Sequence, residues 1–176
     1  PSVLESMHMA LEKWLLEIAP LATTEELEKK CIYLFKNSKS ASITSVIVSI
    51  ILAHPFKLFN VAAMIFRTKE FFLYDTTRYV KDQSHKGMLE SLRDNYPQRD
   101  YLTQIFEEER IKSCDDEHRK STLERVALYY QVFKDKEEVD EQASNRQKII
   151  WGIFDDYYKK LPNPSKESDS DKTWRL

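Results

Sequence analysis

Glycine is almost missing from this sequence: Gly87 and Gly152 are the two among 176 residues. Sandwiches, barrels and phosphate-cradling loops need the positive φ angles that glycine supplies, so its scarcity argues against all three. It also leaves no stretch that fits the P-loop, the nucleophile elbow or the dinucleotide fingerprint. Cysteine is equally scarce. Cys31 and Cys114 are too few for a disulfide framework and fit a reducing compartment, hence a cytoplasmic location. Neither sign of charge dominates: 27 Lys and Arg stand against 29 Asp and Glu, a net −2 that lacks the basic excess of a dedicated DNA or RNA binder. A secretory leader is not visible, and the longest apolar run, 43–53, is shorter than the roughly 20 residues a bilayer requires. No membrane partner is expected. The first residue is Pro1 rather than Met, which fits a piece cut from a longer protein.

What is present reads as helix. In the stretch 38–55, Ile43, Val46, Ile47, Ile50 and Ile51 recur at i, i+3, i+4, i+7 and i+8, the spacing of one helical face. Ala41, Ser45, Ser49 and Ala53 recur every fourth residue and line a second face with small side chains, which lets a neighbouring backbone approach closely. The β-branched content also suits a buried strand, but both stripes keep the helical period for about three turns. The helix is predicted to start near Asn37, Ser38 or Ser40, all good N-caps, and to stop at His54, because a residue before proline avoids the α region. With so few charges on any face it must be enclosed by others, and we take it as the core helix.

The rest of the chain follows in short amphipathic segments. Leu4, Met7, Leu11, Trp14, Leu15 and Ile18 mark a first helix ending near Pro20. Thr23 and Glu26 form a capping box for a second, carrying Leu27, Cys31, Leu34 and Phe35. After the core helix come an apolar segment, 56–66, and a helix capped by Thr68 with Phe71, Phe72, Tyr74, Asp75, Tyr79 and Val80. From 83 to 99 the pattern fades around Gly87, Asn95 and Pro97, leaving room for a short helix at 88–92. Tyr101, Leu102, Ile105 and Phe106 give an apolar patch, then 107–120 is almost wholly polar. Leu123, Val126, Ala127, Tyr130 and Phe133 restore helical spacing, and a last helix runs from about 137 through Ile149, Ile153, Phe154 and Leu161. The expected fold is all-α: about seven helices in antiparallel pairs, α-solenoid or repeat-like by helix length although no clean repeat period is present. We expect one helical domain over 1–161, with 1–82 and 95–161 as candidate sub-units, and a flexible tail at 162–176.

Candidate chemistry is sparse. Cys114-Asp115-Asp116-Glu117-His118 offers soft and hard metal ligands, but adjacent residues project in different directions and no second cluster completes a site. A polar helix junction with an acidic cap is the better reading. His54 is either a general base or a helix end, and the second is commoner. Asp75, among aromatics, is either a carboxylate of raised pKa or, more simply, the partner of Arg67 or of Arg78 at i+3. Tyr74, Tyr79, Tyr129, Tyr130, Trp151, Tyr157 and Tyr158 sit at helical spacing that core packing explains, yet exposed members would favour partner binding. Tyr74, Tyr79, Arg67 and Arg78 are the candidate interaction surface. No catalytic, cofactor-binding or metal-ligating residue is assigned.

The segment Asn37-Ser38-Lys39-Ser40-Ala41-Ser42-Ile43-Thr44-Ser45-Val46, with Leu52-Ala53-His54-Pro55, Phe59-Asn60-Val61-Ala62 and Phe66-Arg67-Thr68-Lys69-Glu70-Phe71-Phe72, resembles a helical part of very large bacterial NTP-binding proteins. These are the STAND-type NTPases of antiphage defence, the Avs-like group. The resemblance spans about 24–82. Such proteins join an effector domain, an NTPase core and a helical repeat region that recognises viral proteins. The resemblance therefore implies a non-catalytic scaffold or protein-interaction segment, without cofactor, whose partners are other domains of a parent chain or a viral protein. The family's Walker motifs have no counterpart here, so no nucleotide-binding residue is carried over. Two rival readings stand beside it: a small α-helical metal-dependent hydrolase using Asp75, Asp115, Asp116 and a histidine, and an RNA-facing domain using Lys57, Arg67, Lys69, Arg78, Lys81 and Lys86.

Overall fold

Thr23 and Glu26 close a reciprocal capping box, the Thr23 N–H on Glu26 Oε2 at 3.0 Å and the Glu26 N–H on Thr23 Oγ1 at 3.3 Å. Helix α2, Thr24–Asn37, starts there as its sequence predicts. The computed structural model describes residues 3–95, 100–136, 138–161 and 168–169. Among them the other helices are α1 (Val3–Ile18), α3 (Ala41–Ala53), α4 (Phe59–Phe66), α5 (Glu70–Asn95), α6 (Tyr101–Ser113), α7 (Leu123–Val132) and α8 (Asp140–Lys159). A 3-10 turn, Glu117–Lys120, precedes α7, and no strand occurs among the described residues. The fold is all-α, built from packed helical pairs.

Helix α3 is the centre. It ends where Pro55 forbids continuation: His54 leaves the helix at φ −134°, its N–H still bonded to the Ile50 carbonyl at 2.9 Å. Every residue from 46 to 52 is buried, and α1, α2, α4, α7 and the 3-10 turn all pack on this helix. Around it α5 pairs with α6 and α7 with α8. Ile47, Ile50 and Ile51 share one cluster with Leu15, Leu27, Phe66, Leu123, Tyr130 and Ile150. The two candidate sub-units thus contribute to the same core. Each such fully buried side chain contributes about 1.5–3 kcal/mol of apolar burial.

Polar side chains seal the helix ends inside this core. Arg146 of α8 is 4% exposed. It donates to the Tyr130 and Phe133 carbonyls at the end of α7 and holds Glu138 at 2.9 and 2.6 Å. Its guanidinium also lies 5.2 Å from the Phe56 ring centroid. Lys57 closes the end of α1 by donating to the carbonyls of Ala19, Pro20 and Ala22. Tyr130 donates its hydroxyl proton to the Pro55 carbonyl, and Tyr157 to that of Phe66, tying the second half to the first. Orphaned terminal carbonyls are therefore answered by tertiary partners.

Three expectations need correction. The fading pattern after Gln83 does not end a helix: α5 continues to Asn95 and absorbs the short helix expected at 88–92. Gly87 sits on a face where an added Cβ would meet nothing within 4 Å, and a glycine there costs only about 1 kcal/mol against alanine. The polar stretch after Glu107 is helical as far as Ser113, opened by Asp100 accepting from the Thr103 N–H at 3.0 Å. The small-residue stripe of α3 is also only half enclosed. Ser49 is buried, but Ala41 and Ser45 are exposed. The expected tail at 162–176 lies, apart from 168–169, outside the described residues. No helix among the described residues is long and apolar enough to cross a membrane.

Candidate interaction groove

Helices α1 and α5 lie on either side of α3, and between them runs a groove floored by α3's small side chains. It has two clefts. One, of about 810 Å³, lies between α1 and the end of α6 with the 3-10 turn, and Ala53 and His54 reach its base. The other, of about 700 Å³, lies between α1 and α5 above Ser42, Ser45 and Ser49. Met9, Glu12, Ser113 and Arg119 line both. Glu12 and Arg119 therefore form a bar across the groove.

The bar belongs to a ladder of alternating charge. Arg119 Nη2 donates to both Glu12 oxygens at 3.0 Å, and its Nη1 lies 3.6 Å from Asp82 Oδ2. Arg78 then bridges Asp82 at 2.8 Å and Asp75 at 2.7 Å, and donates to the Ser121 carbonyl at 2.7 Å. Asp75 Oδ2 finally accepts from the Leu123 N–H at 2.7 Å, capping α7 from outside its own sequence. Alternating carboxylates and guanidiniums offset the desolvation each would suffer alone. His118 is buried with its Nε2 3.6 Å from Glu12 Oε1, and among the described residues neither that nitrogen nor Arg119 Nε has a hydrogen-bond partner. Burial pushes the Glu12 carboxyl up, but His118, Arg119 and Ser49 together hold it below the usual carboxylate range. His54 is depressed by burial first, then by Lys57 and His118.

Of the four residues expected on an interaction surface, the structure brings two to this groove. Tyr74, 63% exposed, and Arg78 line the α5 wall of the smaller cleft. Tyr79 is half-buried and Arg67 exposed beyond α4, and neither lines a cleft. The expected Asp75–Arg78 pair is present. Asp115 is held apart from it by Lys86 at 2.7 Å, and Asp116 precedes the 3-10 turn. Among the described residues no three of His, Cys, Asp and Glu gather to hold a metal ion. Of the six cations considered for RNA, Lys57 is engaged by carbonyls, Lys86 by Asp115 and Arg78 by the ladder.

Sequence reasoning missed Glu12 and Arg119, and named His118 only within the polar junction 114–118. Glu12 carried a signal: it precedes Leu15 and Leu16 by three and four residues, so a carboxylate sits on the apolar arc of α1. Arg119 carried none, since its neighbours are polar. No protein-family model matches this chain, and no curated protein matches its sequence.

Proposed function

We propose that this chain is a non-catalytic helical scaffold that binds protein, as a segment of a larger NTP-binding bacterial defence protein, and contributes to partner sensing or domain assembly. The observation that carries this reading is the outer edge of α1. Val3, Met7 and Trp14 follow one another at helical spacing and are 79%, 63% and 48% exposed. Such a row of large apolar side chains on one edge of a helix is a protein-contact feature. The resemblance of 24–82 to the STAND-type NTPases supports the same reading and names the partners: other domains of the parent chain, or a viral protein. Binding then acts by biasing how the attached domains sit.

The test replaces Val3, Met7 and Trp14, all exposed on this chain, together by Glu in the full parent protein, with circular dichroism of the segment checking that it still folds. Capture of phage structural proteins and self-assembly of the parent are then compared with the unsubstituted protein. Loss of either supports the reading; a parent that captures and assembles as before refutes it.

A further inference from the structure

We propose that the larger cleft, between α1 and the end of α6, together with the outer edge of α1 beside it, receives a basic amphipathic helix of a partner protein. The proposal rests on the protein-binding reading above and specifies the shape and charge of the partner.

Spacing gives the shape. Val3, Met7, Ala10, Trp14 and Glu17 follow one another in α1 by steps of four, three, four and three residues, and all five are exposed. That is the narrow two-in-seven seam along which one helix packs on another, separate from the stripe with Leu11 and Leu15 that α1 turns to the core. Ala10 leaves room between the larger Met7 and Trp14 for a knob from the facing helix. A stable dimer engages about 20–30 residues a side, far more than this seam offers. A single helix fits it, and a second copy of the chain does not.

Charge gives the chemistry. Ala10 and Glu17 also line the larger cleft, so seam and cleft are continuous. Five carboxylates line that cleft against three cations. Counting in the rest of the ladder (Asp75, Asp82 and Arg78) with Lys57 and Lys120 keeps the sign negative. Glu12 is bound by Arg119, Glu109 lies 3.5 Å from Lys13, and Glu117 lies 3.7 Å from Lys120. Glu17 and Asp116 are exposed and have no side-chain partner among the described residues, and Lys112 is the lining cation left over. The base between them is apolar, with Met9, Leu16, Leu52 and Ala53. His118 lines it too, its side chain 7% exposed and its Nε2 without a hydrogen-bond partner among the described residues, the mark of a site short of a partner. An amphipathic helix answers both demands. Its apolar row covers the seam and the cleft base, and its Lys or Arg side chains donate to Glu17 and Asp116.

The experiment titrates the isotope-labelled chain with a synthetic helical peptide that carries Leu at its heptad seam and Lys on its flanks. Two controls are the same residues in scrambled order, and the counterpart with Glu in place of Lys. The Lys peptide is expected to shift the amide resonances of 6–17 and 109–117, with affinity that falls as salt rises. Glu17→Lys combined with Asp116→Lys should weaken it by about fivefold or more, whereas Lys81→Glu in the other cleft should leave it within about twofold. The proposal is overturned if the Lys peptide does not bind, if the scrambled or the Glu peptide binds equally, or if the double charge reversal changes nothing. It is also overturned if the chain alone sediments as a dimer that Trp14→Glu separates, since a second copy then holds the seam. Should the Lys peptide fail while the α1-edge variant still abolishes capture, this proposal is lost and the protein-binding reading stands.

Discussion

Asp75 is the residue whose replacement tests the ladder most directly. Its side chain is 2% exposed and accepts two hydrogen bonds of 2.7 Å, from Arg78 Nε and from the Leu123 N–H. Asp75→Ala removes both at once. Arg78 then keeps only Asp82 and the Ser121 carbonyl, and the first buried N–H of α7 loses its acceptor. Breaking one partner of a buried pair costs about 3–5 kcal/mol, and an orphaned buried N–H about 1–3 kcal/mol. The two overlap, since both arise from the same missing oxygens, so we expect a loss of about 4 kcal/mol. Against a total stability of about 5–15 kcal/mol that is a large fraction. Asp75→Asn keeps an oxygen for Leu123 but not the charge for Arg78, and should cost about half as much. Adding Arg78→Met to Asp75→Ala should cost less than the sum of the singles by about 1 kcal/mol or more, because the stranded cation is gone. Urea unfolding followed by circular dichroism, with the slope unchanged across the set, reads all four values. An Asp75→Ala loss below about 1 kcal/mol, or a strictly additive cycle, would refute the reasoning.

The half-enclosed stripe of α3 predicts a contrast: Ser49→Leu, buried beside Glu12, should cost about 1–3 kcal/mol by overpacking. Ser45→Leu, exposed at the cleft floor, should stay within about 0.5 kcal/mol, and equal losses in a thermal melt would contradict the described floor. Glu12 gives a pH dependence. Burial raises its carboxyl but His118 and Arg119 more than reverse this, so its folded value lies below the unfolded one of about 4.3. Its stabilising contribution is therefore full above that pH and disappears as pH falls through the folded value. Glu12→Gln should flatten this acid limb of the stability curve, and an unchanged limb would remove Glu12 from the account. Burial, then Glu28, pushes the Cys31 thiol up to about 11, whereas Cys114 is half-exposed. Burial raises the Cys114 thiol too, so the contrast rests on access: a neutral-pH thiol reagent should label Cys114 faster than Cys31, which reacts only as fast as the protein unfolds; equal labelling rates in the folded protein would be the contrary result.

Much of the fold was legible because its signals are local. The Thr23–Glu26 box, the Pro55 stop and the stripe of isoleucines in α3 each depend on residues a few positions apart, and each appears where the spacing puts it. The Asp75–Arg78 pair is of the same kind, at i+3. The continuation of α5 past Gly87 was not legible, since a weakened apolar pattern reads as a helix end although a polar face only means a solvated one. The groove was half legible. Tyr74 and Arg78 stood out as an aromatic and a cation on one helix, but the opposite wall belongs to α1, and nothing in either stretch announces the other.

The amino-acid order alone determined that the chain is helical, where α2 begins and α3 ends, and that the isoleucine face of α3 turns inward. Glycine scarcity, 3.6-residue periodicity and capping side chains act over one or two turns, so they can be read without knowing any neighbour. Only the tertiary structure decided which charged groups are enclosed. Glu12 meets Arg119 across 107 positions and Arg146 closes a helix 16 residues away. The free energy that admits a charge to the interior comes from its partner, and the partner's place is set by how the helices pack.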